Sequence, residues 1–247
     1  MPSGGVAVSG RDDNGTLLEE ISAEGVVIWE RLLGLGKGSA ITAIDGALVL
    51  AAIEKNPADQ RYREDVAVWR FSVTGKLLDH RVVREGINLD ESSYSENIWL
   101  ERSGEAIYIF SRRTGFMQLK PFEVAKIDPR VGMSWRKELP ATIITTDNGS
   151  SYSCSTATTV LPNGDLLVAC RSNSDVLRLW RLSATNGAST ESVVRLFAPS
   201  PNCEPFWSPA RFLKAKSEGV VWLFGSPQAS DEKPCGWIGE ALAPEIR

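Results

Sequence analysis

The feature that most constrains this chain is a short, almost continuously apolar run that recurs after a glycine. The runs are Gly5 to Val8, Gly46 to Ala52, Gly104 to Phe110, Gly164 to Cys170 and Gly219 to Phe224, and their leading glycines lie 41, 58, 60 and 55 residues apart. No stretch of helical periodicity is long enough to compete with a strand reading. A second series follows the first four runs: Ser22 to Gly25, Ser72 to Gly75, Asp128 to Gly132 and Ser183 to Gly187. Each has the small polar residue followed by glycine that tight turns need. Each is flanked by β-branched and aromatic residues, as in Val66 to Ser72 before one turn and Lys76 to Val83 after it.

One period therefore reads as four consecutive strands joined by hairpins. In the clearest period the strands are 40–45, 47–53, 65–72 and 76–83, termed A to D. The next two periods give 97–103, 105–111, 122–128 and 133–139, then 156–162, 165–170, 176–183 and 191–197. Residues 6–32 supply only B, C and D, and residues 210–242 only A, B and C, which makes eighteen strands in five periods. The expected fold is an all-β propeller of four-stranded antiparallel blades, with five blades of which the first and last are incomplete. It forms a single domain over residues 1–247, with blades near 1–34, 35–84, 85–140, 141–198 and 199–247. A two-sheet sandwich would explain neither the four-strand period nor the recurring turn glycines. The two incomplete blades do not complement each other, so the expectation includes an upstream export or anchor segment that has been removed.

Composition narrows the function. A hydrophobic fraction of 43% excludes a disordered chain. No stretch reaches the roughly 18 to 20 apolar residues of a membrane span, and Met1 to Gly5 lacks the features of a signal peptide. A single His excludes sites built from two imidazoles, and no metal or cofactor is expected. A net charge of −4 gives no bulk attraction to nucleic acid.

Three segments carry a family resemblance. Gly25-Val-Val-Ile-Trp29 resembles the glycine-to-tryptophan turn and strand of quinoprotein-dehydrogenase-like blades. Asp128 to Trp135 and Ser183 to Ser189 resemble eroded copies of the Ser-x-Asp-x-Gly-x-Thr-Trp box of sialidase-like blades, with Arg130 and Thr185 where the box has Asp. The resemblance is to bacterial propellers with degenerate repeats and covers most of the chain at blade level. It implies the fold far more than any activity.

In such blades the A–B and C–D turns share one face, and the B–C and D–A connections share the other. The first face has only tight turns and is expected to bind little. The second carries the long loops 54–64, 84–96, 112–121, 140–155, 198–209 and 226–235, and recognition is assigned there. Ser92-Ser-Tyr94-Ser-Glu96 and Ser150-Ser-Tyr152-Ser-Cys154 repeat 58 residues apart, each before an innermost strand. They suggest a rim of hydroxyls and two rings at the channel mouth, or tyrosines wedged between blades. Arg112, Arg113, Arg171 and Trp207 join them, since Arg, Tyr and Trp make up the hot spots of protein interfaces.

Catalysis finds less support. Glycoside hydrolysis needs paired carboxylates, yet Glu96 stands alone among the starts of the innermost strands, where the equivalents are Ala40, Ser155 and Pro209. A sialidase-like set of Tyr94, Glu96, Arg112 and Arg171 is conceivable but nothing in the spacing requires it. His80, the one imidazole, falls on an outer strand. The four cysteines contain no Cys-x-x-Cys pair. A hairpin centred on Asn163-Gly164 would put Cys170 opposite Ala157 and out of reach of Cys154, whereas Cys203 and Cys235 both fall on the long-loop face of the last blade and form the candidate disulfide. Two readings follow. One is a non-catalytic propeller, monomeric by itself, that binds another protein in the periplasm or elsewhere outside the cytoplasm, as a toxin neutraliser or envelope assembly scaffold. The other is a glycan-binding or glycoside-cleaving propeller with its pocket at the channel mouth; a cytoplasmic location with free thiols is the alternative setting.

Overall fold

A computed structural model of the chain describes residues 4–12, 15–33, 39–55, 64–84, 95–114, 122–140, 143–145, 151–153, 156–171, 176–195, 210–217, 220–225 and 237–242. Among them are twenty strands in six antiparallel sheets, in two compact units, residues 1–139 and 140–247.

The first unit holds three sheets. Strands β1 (Val6–Asp12), β2 (Gly15–Ile21) and β3 (Val27–Leu33) form a three-stranded sheet. Next comes a four-stranded sheet of β4 (Ser39–Ile44), β5 (Ala47–Lys55), β6 (Glu64–Ser72) and β7 (Leu77–Arg84). The third sheet is β8 (Ser95–Ser103), β9 (Ala106–Thr114), β10 (Phe122–Asp128) and β11 (Gly132–Leu139). In each, spatial order follows sequence order. Such meanders are propeller blades, and their strands coincide with those expected from the repeat.

The apolar run of β5 is continuous because both faces of its sheet are covered. In β5, Val49, Ala51 and Ile53 belong to a core shared with Ile98, Ile107 and Ile109 of the third sheet. The alternate residues Leu48, Leu50 and Ala52 belong to a core shared with Leu18 of the first sheet, against which Trp29 and Leu33 pack. Every residue from Leu48 to Ile53 is at most 1% exposed. Burying six such side chains contributes on the order of 10 kcal/mol before the cost of ordering the chain.

The outer strands depart from this regularity. Ile28 in β3, Leu78 in β7 and Ser134 in β11 are each passed over in the pairing with the neighbouring strand, so each outer strand carries a β-bulge just after its turn. Bulges bend an edge strand away from further pairing. Exposed Val27, Ile28, Leu32, Leu77 and Leu78 lie on these strands.

In the second unit, β14 (Thr156–Val160), β15 (Leu166–Arg171), β16 (Val176–Leu182) and β17 (Ser189–Arg195) form a four-stranded blade. Strands β18 (Ala210–Ser217), β19 (Val220–Gly225) and β20 (Trp237–Leu242) form a three-stranded sheet. Two findings differ from the sequence reading. The 140–155 connection, expected to be a loop, contains a small hairpin of β12 (Ile143–Thr145) and β13 (Ser151–Ser153). Its six strand residues account for the two strands beyond the expected eighteen. Cys170 pairs with Thr156 and not Ala157, because the turn is a three-residue connection, 162–164, closed by a 2.8 Å bond from the N–H of Leu161 to the carbonyl of Asp165. Gly164 ends that turn at φ 86°, the conformation a three-residue hairpin loop requires of its last residue.

Candidate functional site

The two ends of the blades are built differently. At the tight-turn end the polar groups of the described turns satisfy one another. Ser22 Oγ accepts from the N–H groups of Glu24 and Val26, each at 3.2 Å. Ser72 Oγ does the same for Thr74 at 3.2 Å and Lys76 at 3.1 Å, and Ser183 Oγ for Thr185 at 3.2 Å. Asp128 Oδ1 takes the N–H of Arg130 at 2.8 Å and of Val131 at 3.3 Å. The same hydroxyl of Ser22, followed by Glu24's own N–H, holds the exposed Glu24 carboxyl below its ordinary value.

Charged side chains then tie neighbouring sheets together at this end. Arg130 pairs with Asp45 and lies 3.5 Å from Glu105. Arg102 donates from Nη1 to the Ala43 carbonyl at 2.9 Å and from Nε to the Gly104 carbonyl at 3.0 Å. Arg31 donates to the Gly75 carbonyl at 3.1 Å. Arg130 stands where the sialidase-type box has Asp, and it reaches from the turn of one blade to the turn of another. In the second unit Asp165 plays the same part inside one blade. Its Oδ2 accepts from Arg181 Nη2 at 2.8 Å, Arg181 Nε at 2.9 Å and Asn163 Nδ2 at 2.9 Å, while Oδ1 accepts the Ala184 N–H at 2.8 Å.

The opposite, long-loop end is where the candidate residues fall. Glu96 and Arg113 are directly opposed across β8 and β9, and Asn97 opposes Arg112 one step further in. The register therefore brings three of the expected site residues to one end of one sheet. Arg171, in the second unit, opposes Leu177 at the corresponding end of β15 and β16. Tyr152 lies in β13 opposite Ile144, so its motif sits in a hairpin and not in an open loop. Tyr94, Trp207, Cys203 and Cys235 lie outside the described residues.

Cys170 is disulfide-bonded and 1% exposed. The other three cysteines lie outside the described residues, so its partner is one of them. The observed register pairs Cys170 with Thr156, so the Ala157 pairing on which Cys154 was set aside does not occur, and Cys154 itself lies outside the described residues. Among the described residues no group of three or more His, Cys, Asp or Glu side chains could hold a metal ion. No helix among them is long and apolar enough to cross a membrane.

No family model matches the sequence, and no curated protein matches it. Solved structures do resemble it. The subtype N11 neuraminidase-like protein of A/flat-faced bat/Peru is 8% identical, with a TM-score of 0.49 over 96% of this chain and 71% of that one. An exo-β-1,3-galactanase from Phanerochaete chrysosporium is 12% identical, with a TM-score of 0.44 over 84% of this chain, which spans only 46% of the galactanase. An α-L-arabinofuranosidase from Clostridium thermocellum is 14% identical, with a TM-score of 0.42 over 84% of this chain and 69% of its own. Likenesses this distant say nothing of what the present chain does, and the propeller assignment stands on its own sheets.

Proposed function

We propose that this chain is a non-catalytic propeller that binds another protein through the long-loop ends of its blades, outside the cytoplasm. The observation that carries the reading is the register at the end of the third sheet. Glu96 and Arg113 are directly opposed there, with Arg112 the next position along, at the ends of regular strands that can present recognition residues. The tight-turn end supports it by contrast, since its hydroxyls and charges bond to the protein's own turns. The disulfide at Cys170 supports the extracytoplasmic setting, because oxidising compartments are where such bonds persist.

The test uses the full chain as bait, followed by affinity measurement with the partner recovered. Arg112→Ala with Arg113→Ala should weaken binding by about 2 to 4 kcal/mol if these are hot-spot side chains. Arg102→Ala, at the tight-turn end, should leave affinity unchanged. An unaffected double mutant, with Trp207→Ala also neutral, would move the interface elsewhere. Binding to a glycan array that is abolished by Glu96→Gln would favour the glycan reading instead.

A further inference from the structure

The outer strands β7 and β11 of adjacent blades in the first unit border a cavity of about 300 Å³, at the low end of the volumes of small-molecule sites. Its apolar lining includes Val68, Val82, Ile127 and Met133. Val68 and Ile127 are buried, whereas Val82 and Met133 are 44% and 50% exposed, so the floor is closed and the mouth open. Four charged side chains also line it, and three are already engaged. Arg81 donates from Nε to Asp79 Oδ2 at 2.7 Å and from Nη2 to the Arg130 carbonyl at 2.8 Å. Asp79 also accepts the His80 N–H through Oδ1 at 3.0 Å. Asp128 caps its own turn.

The fourth is Arg70. It is directly opposite Asp79 across β6 and β7, where a carboxylate would ordinarily pair with it. Asp79 instead turns to Arg81, and among the described residues Arg70 has neither a hydrogen bond nor an ion pair. The result is a half-buried arginine beside an apolar floor, with the carboxylates nearby committed elsewhere. A guanidinium is a fixed fork of donors suited to a carboxylate, and partial desolvation strengthens the pairing.

From this geometry we infer that the cavity binds a small apolar monocarboxylate, whose carboxylate pairs with Arg70 while its hydrocarbon body lies on Val68, Val82, Ile127 and Met133. The site is separate from the long-loop ends of the sheets and does not depend on their role.

The test is titration of the isotopically labelled full chain with sodium hexanoate, followed through the Met133 methyl and the Arg70 Nε–H signals. Hexan-1-ol and hexylamine serve as bodies of the same length without the carboxylate. Hexanoate should shift both signals to saturation, and the alcohol and amine should bind at least about tenfold more weakly, the loss expected for one charge-assisted pair. Arg70→Met should remove that advantage and Arg70→Lys should keep part of it. Hexanol binding as tightly as hexanoate, or no response at Met133, would overturn the inference. The comparison of hexanoate with hexanol on the unaltered chain decides the matter even if the Arg70 variants fold poorly.

Discussion

The ring of Trp29, on the outer strand of the first blade, lies directly against Gly75 in the turn of the second: a Cβ built on that glycine would come within 2.7 Å of the indole. Gly75 also has φ 74°, so two independent constraints meet there. Gly25 occupies the same place one blade earlier, with φ 82° and open space around it. Gly25→Ala should therefore cost only the backbone strain, about 1 kcal/mol, whereas Gly75→Ala should add a steric term of about 1 to 3 kcal/mol. Urea melts of the two variants measure the difference, and equal costs would show that the ring moves aside freely.

Trp29 also divides its indole N–H between Glu20 Oε2 at 2.7 Å and the Val73 carbonyl at 3.0 Å, one partner in its own sheet and one in the next. Glu20 is 3% exposed. Trp29→Phe keeps most of the ring and removes both bonds, so it should destabilise the chain by about 1.5 to 3 kcal/mol. Glu20→Gln retains an acceptor oxygen and should cost less. A Phe variant as stable as the unaltered protein would mean the tryptophan acts through its ring alone.

In the second unit Asp165 gathers four donor contacts onto one carboxylate whose side chain is 10% exposed, facing an Arg181 side chain 16% exposed. Removing either partner strands the other. Asp165→Ala and Arg181→Ala should each cost about 3 to 5 kcal/mol, and the double variant clearly less than their sum. Additive losses would argue that the two side chains stabilise the blade independently.

Reduction offers a fourth check. Peptide mapping without reductant should return Cys170 in a cross-linked peptide, and Cys170→Ser should lower stability by about 2 to 4 kcal/mol. The same map tests whether Cys203 and Cys235 bond to each other. Labelling of Cys170 as a free thiol in the folded, non-reduced chain would remove both the bond and its support for an oxidising compartment.

The blade pattern was legible in the sequence because each strand declares itself locally. The turn glycines 25, 46, 75, 104, 132, 164 and 187 all adopt positive φ, and the apolar runs ending at Ala52, Phe110 and Cys170 fall on buried strands, whereas Val6 and Val8 of the first run are exposed. The bulges at Ile28, Leu78 and Ser134 were not legible, since an extra residue in an edge strand leaves no mark on a pattern already broken by exposure. The Cys170 register failed for a related reason: Asn163-Gly164 suggests a two-residue turn, but the Asn163 side chain bonds to Asp165 and the connection takes three residues. The loop assignment brought Glu96, Arg112 and Arg113 to one end of a blade, but it left them in the loops 84–96 and 112–121, whereas β8 and β9 extend to include all three. Nothing local could announce that Arg130 would reach Asp45, eighty-five positions away in the chain.

The double-sided burial of β5 also sets a hierarchy of motion. The amide hydrogens of Leu48 to Ile53 bond within a sheet that has another layer on each side, so water reaches them only when neighbouring blades separate. Those of the bulged edge β3 can meet solvent by fraying one strand. In deuterium oxide the centre of β5 should exchange at the rate of global unfolding and β3 orders of magnitude sooner, so the outermost strand of a blade is free to yield to a visitor while the blade itself holds.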